Sequence, residues 1–157
     1  MQEHKFKYYD ILHQRFGVVK SIDFETETLV YRIDGNLCKG KINEYLVKFI
    51  GLQDITGEEI YSGHIVEHPA YDKPYSVKRK MKMVKGVVEW HSGKSVSGKG
   101  HKNPSSFNTE PSFEVRDIAN SNYNCGDWSS FHNCKIVGNI FQNPELIELG
   151  RVASTAK

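Results

Sequence analysis

The stretch from Gly51 to Glu67, GLQDITGEEIYSGHIVE, decides how the rest of the chain is read. Asp54-Ile55-Thr56-Gly57 has the form of a turn, in which an acid caps its own backbone and a glycine takes the awkward backbone angles. GEEIYSGHIVE then resumes as a strand, with Gly63 allowing a bulge or a close backbone approach. Glu58 and Glu59 are adjacent and so point to opposite faces of a strand, a poor geometry for paired acid-base work. The segment reads as a reversal between strands, and His64 within it as a partly exposed strand residue with no catalytic part. His68 lies four positions on; on a strand the two share a face but stand about 13 Å apart, too far to share a metal.

Strand-period patterns extend in both directions from this turn. Ile22, Phe24, Leu29, Tyr31 and Ile33 alternate on either side of the polar interruption ETET, which predicts a hairpin. Asp34-Gly35-Asn36 offers the residues that tolerate positive φ in a tight reversal, and Tyr45, Val47 and Phe49 follow on one face. Three or four antiparallel strands are expected before residue 51. Toward the C-terminus, HPAYDKPYS carries two prolines and is expected to interrupt pairing, while VKRKMKMVKGVVEW is a long β-type run. A mobile loop is expected at about 96–110, where Gly, Ser, Lys and Asn prevail. Strands follow near Phe113–Arg116 and Cys134–Phe141. Asn143-Pro144-Glu145 then sets an N-cap, a first-turn proline and an acid before NPELIEL, predicting a helix of about two turns and a frayed tail. The chain is thus expected to be all-β, antiparallel, with a short C-terminal helix.

Composition limits the function classes. With 157 residues and an apolar share of 38%, the chain suits one ordinary globular domain or two small halves sharing a core. No window reaches the run of about 18 apolar residues a membrane helix needs, and QEHKFKYYDILHQ lacks the apolar centre of a secretory signal, so a cytoplasmic protein is expected. Cys38, Cys125 and Cys134 have no C-x-x-C spacing, which argues against a disulfide framework or a zinc ribbon. Cys125, His132 and Cys134 form a C-x6-H-x-C group with soft and borderline ligands, but three ligands lack a fourth, and Cys134 opens an apolar strand. No metal, cofactor or catalytic constellation is expected, and the chain is not read as an enzyme.

The net charge of +2 conceals a basic middle: residues 73–102 carry 9 basic and 1 acidic side chain, while both flanks have more acids than bases. In VKRKMKMVKG, strand alternation puts Lys78, Lys80 and Lys82 on one face and Val77, Met81 and Met83 on the other, a half-buried ribbon with a cationic side. Arg79, Lys85 and Trp90 lie near it in sequence, so Lys78, Arg79, Lys80, Lys82, Lys85 and Trp90 are the candidate nucleic-acid contacts. The plainer alternative is a solvated edge strand whose lysines block unwanted pairing.

Two blocks, FIGLQDITGEEIYSGHIVE at 49–67 and KIVGNIFQNPELIE at 135–148, resemble the YopX family of phage and prophage proteins, as do the opening FKYYD and the later GVVEWHSGK. The resemblance implies a small barrel of the Src-homology-three type, self-association into a homo-oligomer, and carriage on a phage or prophage. It implies no reaction. His64 stands where the family pattern has Asp. On this reading residues 1–50 form an N-terminal antiparallel β part and residues 51–157 a barrel-like part, with a basic insert at about 69–85. The expected role is that of an interaction or regulatory module with a host or phage protein as partner. The alternative is nucleic-acid binding through the basic ribbon at 73–102.

Overall fold

The computed structural model describes residues 5–71, 80–91, 112–119, 124–126 and 133–155. Eleven strands and one helix make up this part of the chain: β1 (Phe6–Asp10), β2 (Arg15–Asp23), β3 (Thr28–Ile33), β4 (Asn36–Lys41), β5 (Leu46–Gln53), β6 (Glu59–Tyr61), β7 (His64–Tyr71), β8 (Met81–His91), β9 (Ser112–Asp117), β10 (Asn124–Gly126), β11 (Lys135–Asn139) and α1 (Pro144–Thr155). All pairings are antiparallel, in a six-stranded sheet ordered β4-β3-β2-β1-β5-β6 and a five-stranded sheet ordered β10-β9-β8-β7-β11. The all-β expectation holds. Among the described residues the barrel takes the form of two open sheets, because β6 is only three residues long and the Ser62-Gly63 turn hands the chain to the second sheet.

In the first sheet the turns fix the register. Ile33 pairs with Asn36 across Asp34 and Gly35, whose φ values of 47° and 83° are those of a two-residue turn that follows the right-handed twist of its strands. Alternation along β3 then sends Leu29, Tyr31 and Ile33 inward, where they pack with Tyr8, Val19 and Ile22. Phe24, counted in the sequence pattern, sits instead on the β2–β3 turn and is exposed.

The second sheet is covered on both faces. Val66, Val88 and Val115 meet Ile50 and Ile60 of the first sheet and Cys134 in one cluster. Ile65, Val87 and Ile118 form another, packed under Leu146 and Ile147 of α1. Burying a branched aliphatic side chain of this kind contributes about 1.5–3 kcal/mol, so these two layers hold the sheets and the helix together.

Three local expectations are corrected. Pro69 does not interrupt β7 but lies within it, opposite Met83. Beyond Glu67 the strand has β8 as its neighbour while β11 starts only at Lys135, and a strand paired on one side needs only alternate N–H groups. Met81 and Met83 are not on a buried side; they are 64% and 56% exposed, because β7 and β8 here extend past the strands that flank them. The helix runs for 12 residues, just over three turns, continuing through part of the tail expected to fray. The loop at 96–110 lies outside the described residues, as do Lys78 and Arg79.

Candidate functional site

Two surfaces and one internal junction collect the polar and exposed groups of the molecule. The first surface is the distal end of the β7–β8 hairpin. Its register is His68 with Val84, Pro69 with Met83, Ala70 with Lys82 and Tyr71 with Met81. Directly paired residues share a face, so Lys82 and Val84 stand with His68 and Ala70, and Met81, Met83 and Lys85 stand on the other side with Glu67 and Pro69. Lys80 precedes the strand; Lys80, Lys82 and Lys85 are all exposed. β9 pairs with β8 only from Gly86 onward and β11 with β7 only up to Glu67, so the described part of this end is a two-stranded arm. Of the candidate contacts, the arm brings Lys80 and Lys82 together and puts Lys85 on the opposite face. Trp90, paired with Phe113, is eight residues beyond Lys82, about 26 Å along a strand, and does not join them.

The second surface is a cleft of about 560 Å3 where the two sheets meet α1. Leu46, Val87, Ile118, Ile140, Phe141 and Ile147 give it an apolar lining, and Glu44, Glu89, Asp117 and Arg116 bring charge to it. Arg116 Nη2 donates to Glu89 Oε2 at 2.9 Å, and Asp117 accepts from the Ala119 amide at 2.8 Å. Three carboxylates against one guanidinium leave the cleft acidic. Sequence reasoning missed it because its charged residues come from the β4–β5 turn, β8 and β9, which no local spacing connects.

The junction lies behind the turn of the opening sequence. Asp54 Oδ1 accepts from the Thr56 amide at 2.7 Å, the Thr56 hydroxyl at 2.6 Å and the Glu58 amide at 3.1 Å, and Oδ2 accepts from the Ile136 amide at 2.9 Å. The Ile55 amide donates to Cys134 O at 3.0 Å, and the Ile140 amide to Gly63 O at 2.9 Å. Burial pushes the Asp54 carboxyl up, but the hydrogen bonds from Thr56, Ile136 and Glu58 outweigh it and hold it at about 2. Gly63 takes φ 83° with Ile140 and Phe141 in contact range, so the close approach expected there is made against the β11–α1 turn. That turn is held by Asn139, whose Oδ1 accepts from the Phe141 and Gln142 amides at 3.1 and 2.9 Å.

His64 belongs to this junction. The expectation of a partly exposed residue fails: it is 9% exposed, because β11 pairs its Asn139 directly opposite. Its Nδ1 accepts from the Tyr61 amide at 3.3 Å. Burial, with repulsion from Lys7 and a smaller opposing pull from Asp54, lowers its pKa to about 4, so the imidazole is neutral at pH 7. His68 is fully buried four residues on, with Nδ1 3.2 Å from Pro69 O, and burial lowers its pKa as well. Cys134 lies in the intersheet core, where burial pushes its thiol up to about 11. Its side chain is therefore a small apolar filler, while the side chains of Cys125 and His132 lie outside the described residues. Among the described residues no three His, Cys, Asp or Glu side chains are grouped to hold a metal.

A further carboxylate is fixed in the first sheet. Asp10 accepts from the Tyr31 hydroxyl at 2.6 Å and from the Leu12 and His13 amides at 2.9 and 3.1 Å, and His13 Nδ1 lies 2.9 Å from Oδ2. Burial pushes this carboxyl up, but the Tyr31 and His13 bonds prevail and hold it at about 2.

A model of the YopX protein family matches residues 5–148. The chain belongs to the YopX family. Among curated proteins nothing matches it. Its fold is similar to that in the crystal structure of protein EF1440 from Enterococcus faecalis, with a TM-score of 0.50 at 16% identity, covering 94% of this chain and 99% of that one. In this YopX chain the two blocks at 49–67 and 135–148 are the two sides of the Asp54 junction. No helix among the described residues is long and apolar enough to cross a membrane.

Proposed function

We propose that this YopX protein is a non-enzymatic, self-associating interaction module, acting in the cytoplasm of a bacterium that carries a phage or prophage. The observation that carries the reading is the β7–β8 arm, where two methionines more than half exposed stand on a ribbon that extends past its neighbouring strands. Methionine is flexible and polarizable, which suits it to adaptable protein contacts, and a ribbon with open edges needs cover. The acids of the signature support the same reading: both oxygens of Asp54 are taken up in joining the sheets, and Glu59 is held by Lys5 and Tyr61 at 2.6 and 2.9 Å. These groups serve the fold and leave surfaces to do the work.

The test is light scattering of the tag-free protein at micromolar concentration and moderate salt. A mass that is a multiple of the 18.0 kDa chain is expected, and a single-chain mass would overturn the self-association. Lys80 and Lys82, exposed together on the arm, favour a second reading, weak binding of a polyanion whose affinity falls as salt rises.

A further inference from the structure

We infer that the β7–β8 arm of one copy docks into the acidic cleft of a second copy. The inference rests on the self-association proposed above and assigns its two contact surfaces. The arm offers Met81, Met83 and Lys85 on one face and Lys82, with Lys80 beside it, on the other, so that an inserted arm presents both apolar and cationic groups to the cleft walls. The cleft offers an apolar lining that includes the Phe141 ring, with Glu44, Glu89 and Asp117 outnumbering Arg116 around it. Apolar meets apolar and cation meets carboxylate. Sulfur against an aromatic edge is a favourable contact, and lysine stems can lie along an apolar surface while their ammonium groups reach the acids.

The occupant has to come from another copy. β8 is one continuous strand from Met81 to His91, and its residues Val87–Glu89 line the cleft. Met83 therefore stands about 13 Å along the strand from Val87, and a chain's own arm cannot turn back into its own cleft. Each copy carries one arm and one cleft, so docking closes when two copies exchange arms about a two-fold axis and propagates when each arm enters the cleft of the next copy.

Charge reversal tests the pairing. Lys80→Glu with Lys82→Glu in the arm, and Glu44→Lys with Asp117→Lys in the cleft, are each expected to reduce the light-scattering mass to the 18.0 kDa of one chain. Mixing the two variants is expected to restore the natural mass, since each arm then faces a cleft of opposite sign. Circular dichroism checks that the variants fold, and Glu44→Lys alone, an exposed turn position, keeps the test open if the cleft double variant does not. A natural protein that is itself a monomer would overturn both the self-association and this pairing. A natural oligomer whose mass survives either folded variant would overturn the pairing and leave self-association standing. The pairing is overturned in the same way if the arm variant loses only retention of DNA or RNA, with its mass unchanged.

Discussion

Replacing Asp54 by asparagine should loosen the contact between the two halves of the YopX signature, and the size of the effect follows from its four hydrogen bonds. Both carboxylate oxygens face only donors, three at Oδ1 and one at Oδ2. An amide has one oxygen. Whichever way the introduced amide turns, its NH2 group confronts at least one N–H, most simply that of Ile136. Leaving a buried amide unsatisfied costs about 1–3 kcal/mol. A second route gives a similar figure. The folded-state pKa of Asp54 is lowered from 3.8 to about 2, and since it is only 7% exposed, that difference amounts to about 2 kcal/mol of stability. The sign is that of a depressed carboxylate: the contribution is present above pH 3.8 and is lost as pH falls from there toward 2. At neutral pH, Asp54→Asn should therefore lower Tm by roughly 4–8 °C for a chain of this size. Its acid unfolding curve should also lose part of the slope below about pH 4, with Asp10 and Glu59 among the carboxylates that supply the rest. Thermal and acid denaturation followed by circular dichroism measure both. A variant within about 1 °C of the natural protein at pH 7, with an unchanged acid profile, would refute the claim that this carboxylate joins the blocks.

Stability should also fall as pH drops from 6.5 toward 4, because His64 takes up a proton in the unfolded chain well before it does so in the fold. Urea midpoints across that range should decline in the natural protein and less steeply in His64→Asn, where buried His68 still contributes, and equal slopes would contradict the buried neutral imidazole. Tyr31→Phe should remove the 2.6 Å bond to Asp10, costing about 1.5–3 kcal/mol and moving the Asp10 carboxyl up from about 2. Carboxyl NMR titration reads that shift, and an unmoved Asp10 would mean that His13 and the turn amides hold the carboxylate alone.

Legibility in the sequence follows the range of the interactions. Asp34-Gly35 with the alternation of Leu29, Tyr31 and Ile33 is local, and it specifies a hairpin that the structure contains. Asn143-Pro144-Glu145 locates the start of α1, but Gly150, a residue that ordinarily stops a helix, lies inside it, so the helix is longer than expected. Pro69 and the methionines mislead for one reason: their environment depends on where β9 and β11 stop pairing, which the β7–β8 sequence does not encode. His64 reads as a surface residue because its cover, Asn139, comes from 75 positions away. The candidate cleft is illegible for the same cause, while the basic arm is visible as a run of charge, with Lys82 on the face opposite Met81 and Met83 that alternation assigns it.

The Asp54 to Ile136 bond spans 82 positions, and the order in which the chain leaves the ribosome gives that separation a meaning. The hairpins of the first sheet are complete once Tyr61 has been made, whereas β7 acquires its outer neighbour only when Lys135–Asn139 has been made. Loop closure over that length is slow compared with hairpin formation, so the nascent protein passes through a stage with its first sheet formed and the edge of β7 uncovered. A transcript truncated before residue 134 would hold the molecule at that stage, with Asp54 lacking its distant donor and a strand edge exposed to proteases and to aggregation.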